Sequence, residues 1–195
     1  MARVAMSGRV RADGTMTGAA ETYGGVLQAF HWTIVALVTI QFVTKLILPG
    51  IVGKAGMHTV NAWHLGTGST ILLLMLLRLT WRLTHHVPPP PADLSPGLRL
   101  LSRANHWAFY ALLIVLPLGG WMAANGFGAT VKLAGIISLP AIAPKNAAMA
   151  EQIGDLHGTL AFVLLALIAL HVSGAIYHGV MKRDGVVGRM LPRGA

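Results

Sequence analysis

The chain contains no cysteine and only six acidic residues in 195. The first absence excludes disulfides, thiolate catalysis, iron–sulfur clusters and haem attached through a Cys-x-x-Cys-His motif. Charge of either sign is also scarce. Charged residues make up 11% of the chain and hydrophobic residues 54%, whereas soluble domains carry roughly 25% charge. There is too little charge to solvate a water-soluble domain of this size. No internal repeat and no second, soluble domain is visible. What the sequence does have is 15 Lys+Arg, a formal net charge of +9, and nine histidines. The basic excess alone would suit nucleic acid, but no soluble segment carries a basic stripe with interleaved aromatics, so nucleic acid is not a partner.

Four stretches are apolar for about the 20 residues that a bilayer-spanning helix needs: 30–48, 62–83, 106–124 and 157–177. All are too long and continuous for half-buried strands. They are separated by Pro49-Gly50, by the run Pro88-Pro89-Pro90-Pro91, and by a Gly- and Pro-bearing segment over 125–156. The first run exceeds a signal-peptide core and follows a long polar segment, so it reads as a retained helix. Residues 1–21 lack apolar periodicity and read as a flexible tail; 22–195 form one four-span unit. The expected fold is all-α, a four-helix transmembrane up-down bundle.

Its direction follows from the placement of cations. Arg3, Arg9, Arg11, Arg78, Arg82, Arg99, Arg103, Lys182, Arg183, Arg189 and Arg193 fall on the side of the termini and the second loop. Only Lys45, Lys54, Lys132 and Lys145 fall on the other. Both termini are therefore expected in the cytoplasm.

This topology gives each histidine a depth, and ionisable groups within spans mark function by default. His31 and His106 open spans on the cytoplasmic side; His64 and His157 open spans on the outside; His171 lies deeper along the span of His157. The 14 residues from His157 to His171 correspond to about 21 Å of rise, and about 1400° of rotation leaves both rings on one helix face. Partners exist at both depths, His64 for His157 and either His31 or His106 for His171. Facing imidazoles at one depth are what an axially bis-histidine haem needs, and two layers would hold two b-type haems. A closed zinc site would want about four ligands, and no span carries a carboxylate.

Lys45 lies 14 residues after His31, and Arg78 lies 14 after His64. Each is thus on its histidine's face but near the other layer, placed either to pair with a haem propionate or to snorkel to the headgroups. Arg82, 18 residues after His64, keeps the same face. Gly66, Gly68 and Gly174 either make room for a flat macrocycle or serve close helix packing. His58, His85, His86 and His178 read as solvated. Tyr23, Trp63, Trp81, Trp107 and Trp121 suit interfacial aromatic belts, where one could flank a quinone.

Phe30-His31-Trp32, Trp63-His64-Leu65-Gly66-Thr67-Gly68, Leu77-Arg78-Leu79-Thr80-Trp81-Arg82 before the prolines, Asn105-His106-Trp107-Ala108-Phe109-Tyr110, Leu156-His157-Gly158-Thr159-Leu160-Ala161 with His171, and the closing Leu191-Pro192-Arg193 together resemble the prokaryotic cytochrome b561 family. The resemblance covers roughly residues 22–193. It implies a two-haem b-type cytochrome of the bacterial inner membrane, with His31 and His171 on the cytoplasmic-side haem and His64 and His157 on the outer one. His106 matches a family histidine that is not the usual ligand and would stand behind the ligands. The family moves electrons between the periplasm and the quinone pool, which implies an oxidoreductase of the superoxide:ubiquinone type with ubiquinone as acceptor. Alternatives are an anchor subunit passing electrons from a separate dehydrogenase, and, from another class, a histidine-using metal transporter. On the outer side Lys45, Lys54, Lys132 and Lys145 stand against Glu151 and Asp155, a small positive excess that would draw an anionic donor.

Overall fold

The computed structural model describes residues 22–89 and 94–191 and, as backbone, the pairing of Arg9–Val10 (β1) with Met16–Thr17 (β2). The rest of the expected tail, Pro90 and Pro91 of the proline run, and Pro192-Arg193 lie outside the described residues, as do the side chains of Arg3, Arg9, Arg11 and Arg193.

Helices make up the bulk of the chain: α1 Gly25–Phe42, α2 Leu48–Thr84, α3 Pro96–Gly126 and α4 Ala147–Ile176. A π-turn, Val43–Ile47, joins α1 to α2, and a second, Tyr177–Lys182, prolongs α4. Three helical stretches are long and apolar enough to cross a membrane: Gly25–Thr84, Pro96–Gly126 and Ala147–Lys182. The first of these doubles back. In a straight helix, Thr44 and His64 would lie about 30 Å apart, yet Thr44 Oγ1 is 3.4 Å from His64 Nδ1, and Lys45 Nζ donates to Asn61 Oδ1 at 2.8 Å. The reversal centres on Gly53, at φ 58° and ψ −164°, a conformation that costs only glycine nothing. Pro49-Gly50, the expected break, stays helical, because a proline in the first turn of a helix gives up an N–H that had no partner there.

Helices α3 and α4 start about ten residues before the apolar runs that announce them. Ser95 Oγ accepts from Leu98 N–H, with Pro96 in the first turn, and Asn146 Oδ1 accepts from Met149 N–H at 3.0 Å. Such caps satisfy N–H groups that the first helical turn leaves unpaired. The capped ends project past the apolar slab.

The buried core lies midway along the bundle and draws on every helix: Ile34 and Val38, Ile71 and Met75, Tyr110, Leu113 and Leu116, and Leu164. Packing runs α1 on α2, α2 on α3, and α3 on α4. Among the described residues α4 makes no comparable seam with α1 or α2. A gap of about 270 Å³ remains there, lined by Val38, Thr39, Phe42 and Leu46 from the first leg and by Leu165 and Ile168 from α4.

The segment after α3 is more ordered than its composition implies. Lys132–Leu133 (β3) pairs antiparallel with Ile137–Ser138 (β4), and Asn125 ties the loop by donating to the Ala129 carbonyl at 3.1 Å and accepting from Ile142 N–H at 2.9 Å. This hairpin lies on α2: the Ser69 hydroxyl shares its proton between the Gly66 carbonyl at 2.9 Å and the Lys132 carbonyl at 3.1 Å, and a Cβ at Gly66 would meet Gly135 N at 2.9 Å. A Cβ at Gly68 would meet Gln41 Nε2 at 2.8 Å. Gly66 and Gly68 thus serve close packing; Gly174 has open space around it. Since the obstacle at Gly66 is backbone rather than a flexible side chain, Gly66→Ala is expected to destabilise the fold by about 1–3 kcal/mol. Limited proteolysis should then cut faster within 127–145, and unchanged cleavage with unchanged thermal stability would contradict this packing.

Candidate functional site

Helix α4 carries His157 and His171 on one continuous helix, and each meets a histidine from the α1–α2 hairpin. The ring centroids of His64 and His157 are 6.1 Å apart, and those of His31 and His171 are 6.3 Å apart. Metal–imidazole bonds are about 2 Å long, and a ring nitrogen lies about 1.1 Å from its ring centre, so two imidazoles on opposite sides of one metal bring their centroids about 6 Å apart. Both pairs fit that span. Among the described residues no group of three or more His, Cys, Asp or Glu is arranged to hold a metal ion directly. Two facing imidazoles per layer, beside an apolar gap, would suit a haem iron better than a bare metal ion.

His106 stands beside the inner pair. Its centroid is 5.4 Å from that of His171, closer than two rings across a metal, and Phe109 flanks the same imidazole at 5.4 Å. Backbone acceptors fix two of the rings. A carbonyl oxygen can only accept, so His157 Nδ1, 3.0 Å from the Leu116 carbonyl, and His106 Nδ1, 2.6 Å from the Ser102 carbonyl, both carry protons. Gly120 gives the His157 ring its place, for a Cβ there would lie 3.2 Å from His157 Cε1.

The two cations singled out in the sequence fall at opposite layers. Lys45 is exposed, hydrogen-bonded to Asn61, and couples electrostatically to His64 and His157. Arg78 is half-buried and couples to His31, His106 and His171. Its guanidinium carbon lies 5.7 Å from the Tyr110 ring centre, and its buried Nε has no hydrogen-bond partner among the described residues. Arg82 approaches Tyr110 and Trp107 at 5.8 and 6.0 Å. The Arg78 side chain hydrogen-bonds Tyr110, and its remaining Nε–H, beside an imidazole pair, is a donor that a carboxylate-bearing cofactor would complete.

The marginal histidines divide. His58 is exposed, and His85 stacks on Trp81 at 3.8 Å. His178, expected to be solvated, is instead largely enclosed, and its Nδ1 lies 2.6 Å from Asp184 Oδ2. Partial burial pushes the Asp184 carboxyl up, but hydrogen bonds from His178 and from Val186 N–H outweigh it and hold the group below the usual carboxylate range. The pair anchors a C-terminal turn that lies back over α1, where Gln28 Nε2 donates to the Arg189 and Leu191 carbonyls and Trp32 Nε1 to the Met190 carbonyl. Composition gave no sign of this strap. Gln41, Thr44 and Tyr110 were likewise overlooked at the site, although a polar residue inside an apolar span is a usable signal.

A helical bundle with imidazole pairs facing across an interior gap belongs to the class of membrane cytochromes that hold haem between helices. Residues 22–193 match the prokaryotic cytochrome b561 family, and the chain belongs to it. It is a multi-pass membrane b-type cytochrome of electron transfer. It is similar to cytochrome b561 homolog 2 of Escherichia coli (strain K12), 29% identical over 178 residues, 91% of this chain and 95% of the relative. It is also similar to the probable superoxide oxidase CybB of Yersinia pestis, 28% identical over 163 residues, 84% of this chain and 92% of the relative. Cytochrome b561 homolog 1 of Escherichia coli (strain K12) is 26% identical over 168 residues, 84% and 93% of the two chains.

Arg78→Leu removes a cation beside the inner histidines. Reduction there becomes electrostatically less favourable, so the midpoint potential of a haem held by His31 and His171 should fall while that haem stays bound. A redox titration of the haem-loaded protein checks this; an unchanged or raised potential would mean that Arg78 serves only the headgroups.

Proposed function

We propose that this protein is a di-haem cytochrome of the bacterial inner membrane that takes electrons from a periplasmic donor, superoxide, and delivers them to ubiquinone. The observation that carries the proposal is the two facing imidazole pairs, 6.1 and 6.3 Å between centroids, between α4 and the α1–α2 hairpin. The doubled-back stretch Gly25–Thr84 supplies two crossings and α3 and α4 one each, so that residues 22–195 form four spans, up and down, with both termini cytoplasmic. The arginine-rich side then faces the cytoplasm.

His64 and His157 would hold the outer haem, and His31 and His171 the inner one. When bound, each haem supplies a one-electron iron couple. His106 would stand behind the inner pair rather than hold the haem, its ring centroid being 5.4 Å from that of His171 where the His31 centroid is 6.3 Å away. Arg78 would neutralise an inner propionate. Lys45 gives the outer layer a cation suited to either a propionate or an approaching anion. The reaction balances as two superoxide anions oxidised to two dioxygen molecules, with ubiquinone taking the two electrons and two protons to become ubiquinol. The relative from Yersinia pestis, named a probable superoxide oxidase, supports the donor; membership of the family supports the haem.

A reduced-minus-oxidised visible spectrum with haem quantified per chain is the direct test, with two b-type haems expected. His64→Ala and His157→Ala should each leave one haem. Two normal six-coordinate haems in either variant would sink the outer assignment. His106→Ala should retain both haems, with at most a shifted potential or slower quinone reduction. If His106→Ala lost a haem that His31→Ala retained, the roles of those two residues would be exchanged.

A further inference from the structure

We infer that Thr44 is a positioning residue that fixes the ring tautomer of His64 and, through it, the potential of the outer haem. The inference rests on the proposed assignment of His64 as an axial ligand. Thr44 lies in the π-turn Val43–Ile47 and is almost wholly buried, at 2% exposure. Its hydroxyl donates to the Gln41 carbonyl at 2.8 Å. A hydroxyl has a single proton. Toward His64 Nδ1, 3.4 Å away, the Thr44 oxygen can therefore only accept, so Nδ1 carries the proton and Nε2 keeps the lone pair that binds a metal. Gln41 secures the same histidine from its main chain, donating Nε2 to the His64 carbonyl at 3.0 Å. Two side chains three residues apart on the first leg thus hold His64 at ring and backbone.

Return of a threonine hydroxyl to the preceding turn is not by itself a site. Thr39, Thr67 and Thr70 do the same toward Val35, Trp63 and Gly66. Thr44 differs in being buried and in reaching a ring nitrogen. The opposite imidazole, His157, leans on a backbone carbonyl, which no side-chain substitution removes. Thr44 is accordingly the side-chain acceptor through which the outer pair is tunable. An acceptor for the distal N–H raises the basicity of a ligating imidazole, and a more basic ligand favours oxidised iron.

Thr44→Val is nearly isosteric and deletes the acceptor. In the haem-loaded protein it should raise the midpoint potential of the outer haem, shifting the ratio of reduced to oxidised form about three- to tenfold, where tenfold is about 59 mV for a one-electron couple. The inner haem should not move, and Thr44→Ser should return the wild-type potential. Loss of the outer haem in Thr44→Val but not in Thr44→Ser would carry the same conclusion. An unmoved outer potential with both haems bound, no recovery in Thr44→Ser, or loss of the haem in both variants would overturn it. His64→Ala separates the two levels: two retained haems there dismiss the ligand assignment itself. One lost haem there, together with an unmoved Thr44→Val potential, dismisses only the role of Thr44.

Discussion

The organisation of the molecule depends on a seam left open. Helix α4 is packed on α3 and held off the α1–α2 hairpin, and both facing histidine pairs lie across that separation. In lipid there is no hydrophobic drive to close such a seam, because the hydrocarbon tails are as apolar as the side chains lining it. Closure would need close van der Waals contact, and the chain concentrates its small residues elsewhere: Gly66 and Gly68 admit the outer hairpin and Gln41, Gly120 admits the His157 ring, and Gly126 admits Ala150. A rigid group filling the gap would therefore complete the bundle rather than intrude on it. Because α4 is continuous between its two histidines, the separation of the layers is fixed by helix rise, at about 21 Å.

Polar groups in the slab are accommodated by the same rule of local satisfaction. Without water, an unpaired N–H or cation is costly. The threonines return their hydroxyls to the preceding turn, His106 and His157 give theirs to carbonyls, and Arg78 and Arg82 lie over Tyr110 and Trp107. Arg78 Nε is one of the buried groups without a hydrogen-bond partner among the described residues, with Gln41 Oε1, Asn105 Oδ1 and Trp121 Nε1 also within the helices. Of these, Arg78 is the cation, and it lies beside the His31–His171 pair, where an anionic group would satisfy it.

Much of this was legible in the sequence, for identifiable reasons. The grouping of the histidines into two layers followed from hydropathy, and the shared face of His157 and His171 from a 14-residue interval. Helix ends were not legible from hydropathy, which marks the embedded part of a helix; Ser95-Pro96 and Asn146 announce the true starts through capping chemistry. The reversal at Gly53 was hidden because Gly50, Gly53 and Gly56 are equivalent on paper, and only the contacts of Lys45 with Asn61 and of Thr44 with His64 select among them. The groups that orient His106 and His157 could not be read at all, for they are backbone carbonyls, which no residue type reveals. Gln41 and Thr44 could have been, as polar residues three apart in an apolar run.

The unequal surroundings of the two layers bear on the direction of electron flow in the proposed reaction. With the cytoplasm negative, an electron moving inward works against about 2.3 kcal/mol for every 100 mV across the full membrane. Something in the protein has to make the inner layer the better acceptor. Arg78 is half-buried there, with Arg82 a turn further along, and a charge in that setting is screened far less than one in water. The corresponding cation outside, Lys45, is exposed and hydrogen-bonded to Asn61, so its field is weakened by solvent and salt. The outer imidazoles also have acceptors for an Nδ1 proton, in Thr44 and the Leu116 carbonyl, which would make them stronger ligands and favour oxidised iron in a haem held there. Cation burial within and ligand basicity without act in the same sense, each tilting the pair of sites toward inward transfer against the membrane field.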